Sequence, residues 1–152
     1  MTLSDALIVR PLSLADRPQW NDLWAAYLAF YETSHSQEVF ETSFVRLIGD
    51  NPHDFNGLVA ELDGRLVGLA HFLFHRHGWR VENVCYLQDL YAIPEVRGLG
   101  VGRRLIEAVY ATADANAAPS VYWMTQESNT QARQLYDRIG HLTPFIKYER
   151  AS

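Results

Sequence analysis

The sequence has 152 residues, of which 48% are hydrophobic and 20% charged, a balance typical of one globular domain spanning residues 1–152. Its net charge of −5 disfavours a nucleic-acid-binding protein, which would need a basic face, and permits a cationic substrate. The one cysteine, Cys85, excludes an internal disulfide, so we expect a reducing, cytoplasmic location. Residues 1–5 do not resemble a signal peptide, and no apolar run reaches the ~20 residues of a membrane span, so no membrane role is expected.

The first third of the chain predicts one strand and two helices. A short apolar run indicates a strand over residues 6–12. Apolar side chains at three- and four-residue intervals from Trp20 to Tyr31 predict a helix, with Asp16 as its N-terminal cap. A second, shorter helix is expected to end at Gly49.

The apolar pattern then changes to that of strands. Asp63-Gly64 between two apolar runs, residues 57–62 and 65–75, predicts a β-hairpin. Residues 84–92 predict a further strand. The rest of the chain predicts a helix over 100–113, a strand over 121–125, a helix capped by Ser128 or Asn129 that ends at Gly140, and a last strand over 142–150.

The predicted order, β-α-α-β-β-β-α-β-α-β, indicates an α/β fold (α+β in some schemes). A single mixed, mostly antiparallel sheet with helices on both faces would bury the apolar sides of these elements. The strand over 84–92, the helix over 100–113 and the strand over 121–125 form a central βαβ unit with a right-handed crossover. We expect a ligand crevice at the carboxyl ends of its two strands.

A glycine-rich segment between strand and helix is the most informative motif. Helix starts have unpaired N–H groups and partial positive charge, and glycines let a phosphate approach the backbone closely. Spacing excludes a Rossmann fingerprint, because Arg103 and Leu105 stand where glycine is required, and the Ser/Thr of a P-loop is missing. An ordinary glycine-rich turn is the alternative. The segment reads Arg97-Gly98-Leu99-Gly100-Val101-Gly102-Arg103-Arg104.

Three blocks of this sequence resemble the GNAT superfamily of N-acetyltransferases. Arg97-x-x-Gly100-x-Gly102 is similar to its Q/R-x-x-G-x-G/A signature, residues 86–92 to its fourth strand, and residues 129–140 to its asparagine-to-tyrosine helix. Within the superfamily, residues 125–129 and 145–149 resemble the histone-and-polyamine acetyltransferases, and Tyr86-Leu87-x-Asp89 resembles a strand of the diamine acetyltransferases. The resemblance implies the GNAT fold and a homodimer. It also implies acetyl transfer from acetyl-CoA to a primary amine, in a small amine, a polyamine or a lysine of a peptide or protein.

The resemblance also implies roles for individual residues. The backbone around the glycines would bind the CoA pyrophosphate, the backbone of β-strand residues the pantetheine, and the Asn129 side chain the pantetheine arm. Tyr136 would be the general acid that protonates the departing thiolate, although its place on an apolar helix face is also typical of a core tyrosine. The implied cofactor-binding residues are Leu90, Ala92, Arg97, Gly98, Gly100, Val101, Gly102, Arg103 and Asn129.

The general base is less well defined. Gln88 stands where diamine acetyltransferases have glutamate, and an amide cannot accept a proton at neutral pH, which puts polyamine specificity in doubt. Asp89 is our candidate base. Glu82, Glu127 or solvent are alternatives, and a purely structural role for Asp89 is the competing interpretation.

The histidines, the cysteine and the aromatic residues of the first helix have structural interpretations. His71, His75 and His77 share strand parity, but with no clustered cysteine or carboxylate we predict solvated histidines, with substrate-channel contacts second, and no metal site. Cys85 is expected to pack in the core. The aromatic residues of the first helix are expected in the core or in the wall of an acceptor pocket.

Two functions remain open from the sequence, and a third, a nucleotide-binding protein of another class, is disfavoured by the spacing of the glycines. One is a catalytic N-acetyltransferase, and the other is a non-catalytic module that binds or senses acetyl-CoA. The presence of Asn129 and Tyr136 favours the enzyme, because a binding module has no chemical need for the tyrosine.

Overall fold

The computed structural model describes residues 6–152, which contain five strands and four α-helices. The interpretation of residues 1–5 lies outside the described residues. The elements are β1 (Leu7–Pro11), α1 (Arg17–Phe30), α2 (Gln37–Ile48), β2 (Asn56–Leu62), β3 (Arg65–His75), β4 (Val84–Ala92), α3 (Val101–Ala115), β5 (Val121–Tyr122) and α4 (Thr130–Ile139), with short 3₁₀ turns at Leu14–Asp16 and Pro94–Val96.

The five strands form one sheet in the order β1-β2-β3-β4-β5. The pairs from β1 to β4 are antiparallel, and β4 and β5 are parallel, which confirms the mixed, mostly antiparallel sheet. The βαβ unit formed by β4, α3 and β5 is also present. It lies at one edge of the described sheet instead of its centre, because no strand follows β5.

The strand predicted over residues 142–150 is wrong. Residues 141–152 join no ladder, and their large apolar side chains are 75–89% exposed. A strand-like apolar pattern specifies strand propensity but not a partner, and within one described chain this segment pairs with no strand edge. The strand predicted over 121–125 is also shorter than expected. The exposed side chains are Leu142, Phe145, Ile146 and Tyr148.

The predicted hairpin is confirmed. Asp63 and Gly64 have φ angles of 50° and 79°. Positive φ at both central residues is the requirement of a type I′ turn, which matches the twist of the strands it joins. The turn places Leu62 opposite Arg65 in the antiparallel pair of β2 and β3.

Helices cover both faces of β3, as predicted. A Cβ on Gly68 would lie 2.9 Å from the Tyr91 carbonyl oxygen and 3.0 Å from Leu105 of α3, so only glycine allows this close approach. His71, three residues along the strand and therefore on the other face, contacts Trp20 of α1. The apolar core lies on both sides of the sheet between these helices.

Asp16 precedes α1, but its side chain does not cap that helix, contrary to the prediction. The carboxylate instead accepts hydrogen bonds of 2.7 and 2.8 Å from Arg10 and of 2.8 Å from the Ser13 backbone N–H. Asp16 is thereby bound to β1 and to the 3₁₀ turn. The residue that accepts a capping bond is Ser36, at the start of α2.

Candidate active site

A cavity of about 380 Å³ opens beyond the carboxyl end of β4, between α1, α3 and α4. This is where the parallel strands were expected to leave a crevice. All nine predicted cofactor-binding residues line it, together with the predicted acid, Tyr136. The predicted base, Asp89, lies in the wall of a second cavity. The structure therefore places the predicted cofactor-binding residues and Tyr136 around one cavity and Asp89 beside another. The roles of these residues remain predictions.

The glycine-rich loop presents unpaired N–H groups to this cavity. Gly98 and Gly100 have φ angles of 81° and 86°, a conformation that favours glycine. The first hydrogen bond of α3 runs from the Arg104 N–H to the Gly100 carbonyl, at 3.0 Å. The N–H groups of the three preceding residues, 101–103, therefore have no helical acceptor and suit an anion.

The outer edge of β4 is available beside this loop. β5 pairs only with Cys85 and Tyr86, so residues 87–92 have no strand partner on that side within the described chain. At the end of this edge the Arg97 Nε donates a 3.4 Å hydrogen bond to the Ala92 carbonyl, and its guanidinium lies 5.2 Å from the centre of the Phe30 ring. An extended ligand could therefore pair with β4 as an added strand does.

Tyr136 lies on α4 in the cavity wall, half-buried, with its ring 5.5 Å from that of Trp123. Burial is the main cause that raises the pKa of its phenol to about 12, and the neighbouring Tyr31 adds a smaller electrostatic contribution. The hydroxyl is therefore protonated at neutral pH. It has no hydrogen-bond partner within residues 6–152, so it can donate to a ligand in the cavity.

Asn129 precedes α4, but its side chain makes no capping bond, contrary to the prediction. Its Nδ2 donates a 3.2 Å hydrogen bond to the Thr125 hydroxyl instead. The side chain is thus held at the cavity wall and keeps a carbonyl oxygen for a ligand.

The phenol of Tyr27 interacts electrostatically with both candidate catalytic residues, Asp89 and Tyr136. Burial is the main reason that the pKa of its phenol lies well above its ordinary value, and the charge of Asp89 adds to the rise. Tyr31 and Tyr136 contribute smaller electrostatic effects. Asp89 and Tyr136 therefore both lie close to one phenol, although they stand on different elements.

The second cavity, of about 180 Å³, lies beside Asp89 and between α1, α2 and β4. Its wall is mostly aromatic and apolar and includes one acidic side chain. The buried indole N–H of Trp24, a residue of this wall, has no hydrogen-bond partner in the described chain. Gln88 stands at the β-bulge in β4, where the pairing passes from Asp89 directly to Leu87. The lining residues are Trp24, His35, Val39, Ser43, Leu47, Phe55, His71, Gln88 and Asp89.

His71 is not solvated as predicted; it is only 4% exposed and bonds to Asp89 and Trp20. Sequence reasoning missed this role, although the apolar residues on either side of His71 in β3 were a signal of burial. His75 bonds to the Tyr122 hydroxyl at 2.7 Å, and His77 accepts from the Trp79 backbone N–H at 3.1 Å. Among the described residues, no three potential metal ligands come together.

Cys85 is fully buried in β4, and burial raises the pKa of its thiol to about 12. The thiol is therefore protonated and unreactive, and its expected packing role is confirmed.

In the same described part of the chain, no helix is long and apolar enough to cross a membrane.

Comparisons with known proteins agree with this geometry. The Acetyltransferase (GNAT) family model matches residues 19–141. The chain is 37% identical over 149 residues to the D-amino-acid N-acetyltransferase HPA3 of Saccharomyces cerevisiae, covering 97% of this chain and 92% of that protein. It is 31% identical over 122 residues to the thialysine N-epsilon-acetyltransferase of Mus musculus, covering 73% and 69%.

Solved structures share the fold. The aminoglycoside N-acetyltransferase AAC(6')-Iy in complex with CoA superposes with a TM-score of 0.82 at 17% identity, covering 95% of this chain and 94% of that one. Fold, cavity and sequence matches together define an acyltransferase. The chain belongs to the GNAT acetyltransferase family, and it is an N-acetyltransferase.

Proposed function

We propose that this enzyme transfers the acetyl group of acetyl-CoA directly to a primary amine. The observation that supports this most strongly is the meeting of three features in one cavity: the unpaired N–H groups at the start of α3, the open edge of β4 and the free phenol of Tyr136. A co-substrate with a pyrophosphate, an extended amide-containing arm and a thioester requires these three partners in this order.

In this proposal the N–H groups of residues 101–103 bind the pyrophosphate, with countercharge from Arg97 and Arg103. The backbone of Leu90 and Ala92 pairs with the pantetheine amides, and Arg97 gives up its long bond to Ala92. The Asn129 carbonyl oxygen accepts from the same arm. The sulfur and the acetyl group then lie near Tyr136.

The acceptor nitrogen, once neutral, attacks the thioester carbonyl carbon, and the carbon–sulfur bond breaks. Tyr136 donates its phenolic proton to the sulfur as negative charge develops there, which gives the CoA thiol, and a proton from solvent then restores the phenol. Burial raises the pKa of the Tyr136 phenol to about 12, so the phenol keeps its proton at neutral pH until the sulfur leaves. The proton lost by the amine passes to Asp89.

The second cavity supports a small acceptor whose amine lies beside Asp89. Its volume suits a small amine, an amino acid or one lysine side chain, and its carboxylate suits a cationic group. The unpartnered indole N–H of Trp24 would be satisfied by an oxygen on the acceptor. The similarity to a D-amino-acid and to a thialysine acetyltransferase favours amino acids over polyamines.

A panel of amines tests the proposal. Purified enzyme with acetyl-CoA should release CoA thiol in the presence of at least one member of a panel of D- and L-amino acids, thialysine, diamines and lysine peptides. The alternative, a sensing module, predicts acetyl-CoA binding but no acceptor-dependent release with any of them.

We also infer that the enzyme is a cytoplasmic homodimer. Within the described residues, the apolar segment 141–152 has no ladder partner, and β5, one of the two edge strands of the sheet, is unpaired on its outer side. Two copies can satisfy each other by exchanging these segments across a two-fold axis. The buried thiol of Cys85 is consistent with a reducing compartment.

A further inference from the structure

A series of buried hydrogen bonds runs from the core to the second cavity, the one beside Asp89. The indole Nε1 of Trp20 lies 3.0 Å from the Nε2 of His71, and the Nδ1 of His71 lies 2.9 Å from a carboxylate oxygen of Asp89. Trp20 is fully buried and His71 is 4% exposed. The series therefore ends on the one carboxylate that lines the cavity.

The tautomer of His71 follows from its partners. An indole nitrogen can only donate, so the Nε2 of His71 must accept the Trp20 hydrogen and carries no proton. The remaining ring proton is then on Nδ1, where it is donated to Asp89. A proton on Nε2 would instead face the indole proton of Trp20.

Both ends of this series are fixed by rigid elements. Trp20 stacks on Trp24 with ring centres 5.1 Å apart and lies 5.2 Å from the Phe44 ring. His71 and Asp89 are directly opposite each other on antiparallel β3 and β4, so their side chains share a face of the sheet. The β-bulge at Gln88 follows immediately, which separates this pair from the regular ladder beyond it.

We propose that His71, held as the Nδ1–H tautomer by Trp20, is the residue that positions Asp89 toward the acceptor amine. The bond from His71 holds one carboxylate oxygen of Asp89, and the Tyr27 phenol also hydrogen-bonds to Asp89, so the acceptor nitrogen would use a remaining lone pair of this carboxylate. His71 touches neither reacting atom and acts only through Asp89. This inference rests on the role of Asp89 in the proposed function.

The test uses two substitutions at His71. His71→Leu keeps apolar bulk but removes the donor, and kcat should fall by the ~10²-fold typical of a misplaced catalytic group, with the KM for acetyl-CoA unchanged. His71→Asn keeps an N–H donor close to the position of Nδ1, and its kcat should recover to within a few-fold of wild type. His75→Leu, on the same strand but outside both cavities, serves as the matched control and should retain wild-type kcat.

A double-substitution cycle separates positioning from a general packing effect. Asp89→Asn should lower kcat, and adding His71→Leu to it should cause no further loss, because His71 acts only through Asp89. Losses that multiply would overturn the proposal, as would wild-type kcat in folded His71→Leu when Asp89→Asn is impaired. Wild-type kcat in Asp89→Asn would instead contradict the role of Asp89 in the proposed function, and this inference with it.

A nitrogen NMR measurement decides the arrangement without turnover. In the wild-type protein at neutral pH, His71 should give one protonated ring nitrogen, Nδ1, and one unprotonated nitrogen, Nε2, that accepts a hydrogen bond. A proton on Nε2 would overturn the proposal even in an active enzyme.

Discussion

Gly102 lies in the first turn of α3, where the proposed pyrophosphate site requires an open backbone. A Cβ there would meet only the end of the Leu135 side chain, at 3.3 Å, so a larger residue is compatible with the fold. We expect Gly102→Val to fold but to lose acetyl-CoA binding by at least about tenfold, since its branched side chain would occupy the phosphate position. Isothermal titration calorimetry with CoA measures this loss.

Gly78→Val is the matched control, because a Cβ at Gly78 meets no atom within 4 Å and the residue lies outside the cavity. It should bind CoA as the wild type does. Wild-type affinity in a folded Gly102→Val protein would show that the pyrophosphate lies elsewhere.

Single residues also show what sequence can and cannot establish about the site. Gly100, Gly102 and Tyr136 stand at the spacings of family motifs, so the sequence alone predicts a shared site for them. The structure places them around one cavity. His71 has no such spacing. Its role depends on the strand register that places it opposite Asp89 and on a tryptophan 51 residues away, and neither can be read from a lone histidine.

Among the elements, β1 and the start of α1 are joined by the ion pair between Arg10 and Asp16. The hydrogen bonds from Arg10, opposed by burial and reinforced by those from Ser13, lower the pKa of Asp16 from 3.8 to about 2. Because the folded pKa lies below the unfolded value, the ionised carboxylate stabilises the fold above pH 4 and loses this effect as the pH falls toward 2.

Asp16→Asn should therefore lower the free energy of unfolding by about 2 kcal/mol at pH 7. The difference from wild type should shrink as the pH falls from 4 to 2. Urea denaturation at several pH values measures both, with Glu95→Gln, in an exposed pair 4.0 Å from Arg65, as control. A difference between Asp16→Asn and wild type that does not change with pH would contradict this account of the ion pair.

Most element boundaries were predictable because local signals set them. The Asp63-Gly64 turn determines the hairpin, and residues 84–92 form β4 as predicted. The exceptions depend on partners outside the element. The segment over 142–150 has a strand's composition but pairs with no strand of its own chain, and the Asp16 carboxylate bonds to Arg10 instead of capping α1.

At the scale of the whole molecule, the described sheet leaves the outer edge of β5 unpaired, and the apolar side chains of residues 141–152 are exposed to solvent. If two copies exchange these segments, Phe145→Ser with Ile146→Ser should convert a dimer into a monomer of half the mass. Both side chains are more than 75% exposed in a single copy, so the change should leave the fold of that copy intact.

Sedimentation equilibrium measures the mass of each protein, and Thr143→Ser is a neutral control within the same segment. A wild-type protein that is monomeric at assay concentrations would contradict the dimer. So would a double variant that remains dimeric.

The most direct test of the central claim combines kinetics and binding on Tyr136→Phe. This change keeps the ring and its packing on Trp123 but removes the proton donor. We expect near-normal acetyl-CoA affinity, while kcat and kcat/KM both fall by about 10²–10⁴-fold with an acceptor that the wild type uses. A folded Tyr136→Phe enzyme with kcat within a few-fold of wild type would contradict the assignment of Tyr136 as the acid.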